Sequence, residues 1–465
     1  MNMINVRRLT VMTFLGAGML SGISAQVSPL QVDTLKETKI PDQWDLQSCI
    51  DYAKEQNITI RKNRITAAST QIDVKTAKAA LFPSLSFSTG HQVVNRPYQE
   101  TSSRVSGSEI ISSNSKTSYN GNYGLNASWT LYNGNKRLKT IQQEKLNNQM
   151  AELDVATSEN NIQESIAQVY IQILYAAESV KVNENTLQVS IAQRDRGQEL
   201  LNAGSIAKSD LAQLEAQVST DRYQLVTAQA TLEDYKLQLK QLLELDGENE
   251  MNIYLPALSD ENVLAPLPTK RDVYISALSL RPEIEASKLN VEASELGINI
   301  AKSSYFPTIS LSAGIGTNHT SGSDFTFGEQ VKNGWNNSIG LSVSVPIFNN
   351  RQTKSAVQKA KLQYETSMLS LLDEQKALYK TIESLWLDAN SAQQRYAAAN
   401  EKLKSTQISY ELISEQFNLG MKNTVELLTE KNNLLQAQQE QLQAKYMAIL
   451  NMQLLKFYQG DQLAL

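Results

Sequence analysis

Cysteine is nearly missing from this chain: Cys49 is the only one among 465 residues. No disulfide can close within the chain, which excludes a disulfide scaffold. Cys49 also lies too deep in the sequence, inside a helical pattern, to be the lipid-bearing first residue of a lipoprotein, and it reads as a small packed side chain. Histidine occurs twice, as His91 and His319. Both fall in polar stretches that read as solvated loops, so no metal is implied. No nucleophile elbow, metal-ligand cluster or phosphate loop is present, which leaves no catalytic residue and no cofactor to assign. The 43 Lys/Arg are offset by 48 Asp/Glu, for a net charge of −5. Without a basic block there is no face on which to neutralise phosphates, so nucleic acid is excluded as a partner. Beyond the first residues no apolar run approaches the roughly 20 residues of a membrane helix. Any membrane-spanning part must then be a closed barrel.

Proline (10) and glycine (20) are scarce, and hydrophobic residues make up only 41%. Gln, Asn, Ala, Leu, Lys and Glu fill long tracts instead. That is the profile of long helices with narrow apolar seams, not of several globular cores. The N-terminus is a separate object. Arg7 and Arg8 precede an apolar run from Leu9 to Leu20, followed by Ser21-Gly-Ile-Ser-Ala25. A charged start, a short apolar run and a small-residue cleavage site make a secretory signal over residues 1–25, cleaved near Ala25. The alternative, a membrane anchor, is too short to cross about 30 Å of hydrocarbon.

The rest of the chain is duplicated. Ala77-Lys-Ala-Ala-Leu-Phe-Pro-Ser-Leu-Ser-Phe-Ser-Thr-Gly90 is matched by Ala301-Lys-Ser-Ser-Tyr-Phe-Pro-Thr-Ile-Ser-Leu-Ser-Ala-Gly314, at an offset of 224. Thr130-Leu-Tyr-Asn133 aligns with Pro346-Ile-Phe-Asn349 at an offset of 216, and that offset still holds from Asn202-Ala-Gly204 to Asn418-Leu-Gly420. The difference between the two offsets belongs to a loop, because loops tolerate insertions and packed helices do not.

Each copy reads as helix, β-hairpin, very long helix, turn and long helix. Leu46 to Ala80 reads as one helix, stopped by Pro83. Leu85 and Phe87 then alternate with serines, and Tyr123, Leu125, Ala127, Trp129 and Leu131 alternate with small polar residues. Ile309, Leu311 and Ala313 repeat the pattern, as do Ile339, Leu341, Val343, Val345 and Ile347. Such alternation marks a transmembrane β-strand, although a soluble sandwich would produce it too. The export signal favours the membrane. After each hairpin the period lengthens to 3–4: Ile166, Tyr170, Ile173, Ala177, Val180, Leu187 and Ile191, with Glu184 intruding. Leu211, Leu214, Val218, Leu225, Leu232 and Leu239 follow, with Asp221 intruding, and Leu428, Leu435, Leu442 and Ile449 recur at sevens. These are coiled-coil seams.

The expected division is a signal at 1–25, a tail at 26–45, a first repeat at 46–245, an equatorial linker at 246–270, a second repeat at 271–460 and a C-terminal tail at 461–465. Strands are expected near 83–92, 120–132, 307–316 and 336–348. The long helices should cover 135–201, 209–244, 351–417 and 424–458. Both helical hairpins turn at glycine. Gly204 and Gly420 suit a left-handed cap. Ser209, and Asn423 or Thr424, suit the start of the following helix, with Asp210 and Glu426 near its positive end.

The paired Phe-Pro-x-[Leu/Ile]-Ser motifs, Arg281-Pro-Glu-Ile284, Val345-Pro-Ile-Phe348 and the two glycine turns resemble the TolC family of outer-membrane efflux proteins, from about Trp44 to Gly460. The resemblance implies a mainly α fold with a transmembrane β-barrel contribution, built as a trimeric α/β barrel. Four strands cannot close a barrel that needs about eight at least, whereas three copies supply enough. It further implies a homotrimer in outer-membrane lipid, working with a periplasmic adaptor and an inner-membrane transporter as an exit duct. Gly204, Ile206, Leu211, Gly420, Val425 and Leu427, beside Asp210 and Glu426, are the implied docking positions. A gate is implied at Asp210, Ser209, Phe417, Lys422 and Glu426. The match is partial there: Phe417 stands where some members carry tyrosine, Lys422 replaces an arginine, and Thr429 occupies a position that can be acidic. Lys422 is expected to pair with an acidic neighbour and hold the gate shut.

Two other functions fit parts of the pattern. A secreted soluble enzyme conflicts with carboxylates that alternate with opposite charge along helix faces. A non-conducting periplasmic coiled-coil scaffold leaves the alternating strands and their Tyr123, Trp129 and Trp335 without a use.

Overall fold

The computed structural model describes residues 41–98, the backbone of 102–106 and 109–113, and residues 116–246, 251–256, 263–321, 323 and 325–464. The expected signal and its cleavage site, nearly all of the expected tail, and parts of the linker lie outside the described residues. Residues 43–465 form one unit.

The first copy runs α1 (Leu46–Gln56), α2 (Ile58–Ala79), β1 (Ser84–Asn95), β2 (Ser102–Ser106), β3 (Glu109–Ser113), β4 (Thr117–Asn133), α3 (Lys136–Asn202) and α4 (Lys208–Leu242). The second runs α5 (Lys270–Leu280), α6 (Pro282–Ser303), β5 (Thr308–Thr320), α7 (Phe327–Asn333), β6 (Asn336–Ser344), α8 (Gln352–Asn418) and α9 (Thr424–Gln459). The two longest helices, α3 and α8, have 67 residues each. At 1.5 Å per residue each extends roughly 100 Å.

The helix expected from Leu46 to Ala80 is divided. Asn57 leaves helical geometry at φ −59°, ψ 127°, and its side chain accepts from the N–H groups of Thr59 and Ile60. Its amide also donates to the Leu242 carbonyl at 3.0 Å. Asparagine here caps one helix and ties it to the end of α4, a tertiary demand that no proline or glycine announces.

The four main strands form one antiparallel sheet in the order β1-β4-β5-β6, with β1 and β6 at its edges. Leu85 faces Ala127 and Phe87 faces Leu125 across the first pair, and Ala127 faces Ala313 across the next. One face is therefore apolar. On the other, Ser84, Ser86, Ser88 and Gly90 face Ser128, Asn126, Gly124 and Asn122, and those meet Ser312, Gly314, Gly316 and Asn318. Over this stretch the polar face contains only serine, glycine and asparagine.

The strands reach further into the expected loops than their sequence suggests. β1 continues to Asn95 and β5 to Thr320, so His91 and His319 are strand residues opposite Gly121 from either side. The Tyr119 hydroxyl lies 2.6 Å from His91 Nδ1, and the same ring meets His319 edge-on. They belong to strands and not to loops, and the β4 tyrosine packs between them, with His91 still exposed. β6, in contrast, stops at Ser344, short of the expected 348. Pro346 lacks the N–H that would continue the ladder, and the matching place in β4, Thr130 to Tyr132, carries a register shift.

The main core gathers where both copies meet. Ile166, Tyr170, Ile173 and Leu174 of α3 pack with Trp44, Cys49, Ile50, Leu239 and Leu454. Trp44 bridges in parallel to Ile253, and the Tyr170 hydroxyl donates to the Tyr254 carbonyl at 2.6 Å. A second cluster joins Val273 and Ile284 to Leu378, Ile382 and Leu455. Further along α3 the seam departs from expectation. Glu184 is exposed while Asn183, Leu187 and Ser190 are buried, so the buried line steps past the glutamate.

Candidate functional site

Both helical hairpins end in turns of one design. At the first, the Gly204 N–H donates to the Leu201 carbonyl at 2.9 Å and the Ser205 N–H to Leu200 at 2.8 Å. At the second, Gly420 donates to Phe417 at 2.9 Å and Met421 to Gln416 at 2.8 Å. Gly204 has φ +72° and Gly420 φ +75°, in the left-handed region that glycine reaches without steric cost. An added Cβ at either would meet no atom of the chain within 4 Å. The glycines are there for the backbone, and the space outside them is open.

The next helix starts differently in the two turns. α9 has a full capping box. Asn423 Oδ1 accepts from the Glu426 N–H at 2.9 Å. In return, Glu426 Oε2 accepts from the Asn423 N–H at 3.2 Å. α4 has half of such a box, because the cap is Ala207, whose N–H donates to Asp210 Oδ2 at 3.0 Å. Ser209 therefore does not cap; it lies in the first turn of the helix and is exposed. Lys422 Nζ lies 2.6 Å from Glu426 Oε1, one helical turn on. That contact first, and the Asn423 backbone N–H second, hold the Glu426 carboxyl below its usual range.

Within one chain the gate candidates are not brought together. Among the described residues no hydrogen bond or ion pair joins Ser209 or Asp210 to Phe417, Lys422 or Glu426. Lys422 engages the acid of its own turn, and Phe417 is buried beneath its turn. The docking candidates also divide. Gly204, Gly420 and Val425 are exposed and Ile206 is half-buried, whereas Leu211 and Leu427 are buried inside their hairpins. Leu211 packs close to Gly197 of α3. Leu419 and Met421, which carry no sequence signal beyond adjacency to Gly420, are exposed apolar residues on the second turn.

The contact between the hairpins lies further along. Gln193 donates to the Tyr410 hydroxyl at 2.8 Å. Each of the two residues stands about three helical turns before the glycine of its own hairpin, Gly204 and Gly420. The two turns are therefore at one level. Next to this contact, Lys431 of α9 inserts between α3 and α4, with its ammonium on Asp221 and the Ser190 hydroxyl. All three are buried. Gln217 donates to the other Asp221 oxygen at 2.9 Å. Burial pushes the Lys431 ammonium below the usual lysine range against the pull of Asp221. A cavity of about 120 Å³ adjoins it, lined by Val189, Tyr410, Lys431 and Leu434 among others. Lys431 went unnoticed in the sequence although a signal exists. It follows Thr424 and Leu427 at 3-4 spacing and precedes Leu434, one lysine on a buried line facing one aspartate on another. The expected Leu428, Leu435 and Leu442 are only half-buried and flank that line.

The sequence model of the family described as outer membrane efflux protein matches residues 49–244 and again 273–460. The chain belongs to this family. Its duplication is thus the family's own, one match for each copy. Outer membrane efflux protein BepC of Brucella suis is 24% identical over 290 residues, covering 62% of this chain and 60% of the relative. Outer membrane protein TolC of Escherichia coli is 24% identical over 294 residues, covering 61% and 58%. The match thus spans about three fifths of the length of these relatives. The crystal structure of CusC superposes with a TM-score of 0.76 at 19% identity, over 90% of this chain and 92% of that one. That likeness establishes the fold of the efflux family: mainly helical, with the short sheet at one end of the long helices.

Proposed function

We propose that this protein is the outer-membrane subunit of an export system, a passive exit duct and not a catalyst. Three copies place their sheets edge to edge in a closed outer-membrane barrel, and their long helices continue it as a tunnel through the periplasm. The observation that carries this reading is a four-stranded sheet with one apolar and one small polar face, open at both edges. Four strands do not close, and a spanning sheet with open edges is not tolerated in lipid.

At the far end, the level pair of glycine turns supplies the docking surface for a periplasmic adaptor, itself coupled to an inner-membrane transporter. Gly204, Gly420 and Val425 offer it open backbone and an exposed apolar side chain. Ile206 flanks them, while Leu211 and Leu427 brace the turns from inside. Glu426, repeated around the axis, forms a ring of negative charge that favours cations. Asp210 and Ser209 from the neighbouring hairpin border it, and Phe417 supports the turn from below. Lys422 restrains Glu426 and so sets how open this end stands. Reconstitution of the purified protein in a planar bilayer tests the proposal. Discrete conductance steps are expected, larger for Lys422→Ala than for the parent. A bilayer that stays silent with correctly inserted protein overturns the duct.

A further inference from the structure

Four helices meet the sheet at one end: α2 and α6 finish there, and α3 and α8 begin there. Bonds between helices fix the level. Lys139 Nζ donates to the Asn299 carbonyl at 3.4 Å, and Thr70 Oγ1 to Asn148 Oδ1 at 3.1 Å. Within roughly three helical turns of the sheet, α3 carries four basic residues from Lys136 to Lys145, and α8 with its cap carries four from Arg351 to Lys361. Lys75 and Lys78 on α2 and Lys302 on α6 bring the number to eleven. Only Asp73, Glu144 and Glu295 oppose them over the same turns. A chain with 43 basic and 48 acidic residues is therefore strongly positive at this one level. The sequence shows no basic block because the charges come from four separate segments, which only the fold gathers.

The chain does not neutralise this collar. None of the eleven has an ion-pair partner among the described residues. Where partners exist they are uncharged: Arg137 donates to the carbonyls of Ala80, at 2.8 Å, and Thr130, and Lys139 to that of Asn299. The other nine are exposed. α3 and α8 have no acidic residue in their first turns, so two positive helix ends add to the same field. Toward the sheet the surface changes abruptly. Trp129, on the apolar face, donates its indole N–H to the Leu81 carbonyl at 2.7 Å. Phe82, Phe306 and Phe348, at the joints between helix and strand, are 73%, 51% and 82% exposed. Aromatic residues at the ends of spanning strands sit at headgroup depth. The collar begins where that band stops.

We propose that this collar binds anionic phospholipid headgroups of the periplasmic leaflet, a reading that rests on the barrel proposed above. Acyl chains lie against the apolar face of the sheet, and the phosphate of each headgroup falls at the level of the lysines. Basic residues just outside a membrane surface attract lipids of net negative charge. A lysine stem can also lie along apolar surface while its ammonium reaches the phosphate. The class of ligand is a glycerophospholipid with an anionic headgroup, such as phosphatidylglycerol. A zwitterionic headgroup brings no net charge and leaves the collar uncompensated.

Lipid retention tests the assignment. Protein reconstituted in vesicles of equal phosphatidylglycerol and phosphatidylcholine, then released in mild detergent, should retain phosphatidylglycerol severalfold over phosphatidylcholine, counted by native mass spectrometry. Combining Lys78→Gln, Lys145→Gln, Lys354→Gln and Lys361→Gln should abolish that preference. Lys116→Gln with Lys332→Gln, exposed lysines at the other end of the sheet, should keep it. In a phosphatidylcholine bilayer the parent and both variants should conduct alike, with one reversal potential in a salt gradient. Equal retention of the two lipids by conducting protein overturns the collar alone, as does loss of preference only in the Lys116 and Lys332 variant. A four-lysine variant that keeps its lipids and shifts the reversal potential places these charges on the bore and overturns the lipid assignment. Protein that conducts in neither lipid overturns the barrel on which the reading rests.

Discussion

Lys431 on α9 reaches Asp221 on α4, and the pair is withdrawn from solvent, at 3% and 1% side-chain exposure. It is the one place in the described residues where a fully buried ion pair crosses from one helical hairpin to the other. Lys431→Ala leaves the Asp221 carboxylate buried with only Ser190 and Gln217, and should cost about 3–5 kcal/mol. Replacing both, by Asp221→Leu with Lys431→Met, should be close to neutral, because hydrophobic packing substitutes well for a buried pair. Thermal unfolding followed by helical circular dichroism distinguishes the two. A double variant as unstable as Lys431→Ala would show that the ionic contact itself is required.

Glu426 makes the lower turn sensitive to acid. Its folded value lies below the ordinary 4.5, held there chiefly by Lys422. A depressed carboxyl contributes stability above its unfolded value and loses it as pH falls through the folded one. Cation preference, read from the reversal potential in a salt gradient, should stay flat from about pH 7 down to the ordinary carboxylate range and fall only below it. Glu426→Gln should remove both the preference and its pH dependence. A preference unaffected by that substitution would show that Glu426 does not set it.

Three glycines with positive φ should answer differently to alanine. Gly204→Ala and Gly420→Ala carry only the left-handed backbone cost, about 1–2 kcal/mol each, since no atom of the chain stands in the way. Gly134 has φ +68°, and a Cβ there would lie 2.6 Å from the Ser303 carbonyl oxygen and 2.9 Å from Phe306 Cβ. Gly134→Ala should therefore sharply reduce assembled protein in the outer-membrane fraction, where the two tip variants accumulate normally. Impaired export with normal accumulation at Gly204 or Gly420 would point to contact with a partner. Equal accumulation of all three would refute the crowding at Gly134.

Cys49 should be chemically silent. It is fully buried, and burial first, with Asp45 second, pushes its thiol up to about 12. Maleimide should label the folded protein negligibly and the denatured protein fully. Labelling of the native protein would mean that α1 opens.

The duplication was legible because it is arithmetic: the offsets of 224 and 216 taken from short motifs land on the first residues of α6, α8 and α9. Period alone separated strands from helices. Asn57 was not legible, because what breaks the helix is its bond to Leu242, far along the chain at the end of α4. Leu211 and Leu427 stand among the expected docking positions, yet both are buried inside their hairpins, as the seam that Leu211 also heads would require. Side-chain period locates a seam, but which neighbouring line of residues is innermost depends on how many helices surround it. Lys431 was overlooked for a related reason. A lone lysine in a polar helix resembles solvated surface until its aspartate is found on another helix.

The serine, glycine and asparagine face of the sheet has one more consequence. In the closed assembly proposed above it lines the bore, and from Ser84 to Gly90 and across their partners nothing on it is longer than asparagine. Over that stretch the calibre is then set by the backbone. In that assembly, regulation of passage would fall to parts of the duct other than this stretch of wall. For the same reason the bore is open to redesign: one long side chain introduced at Ser86, delivered three times in that assembly, would narrow it from the wall inward.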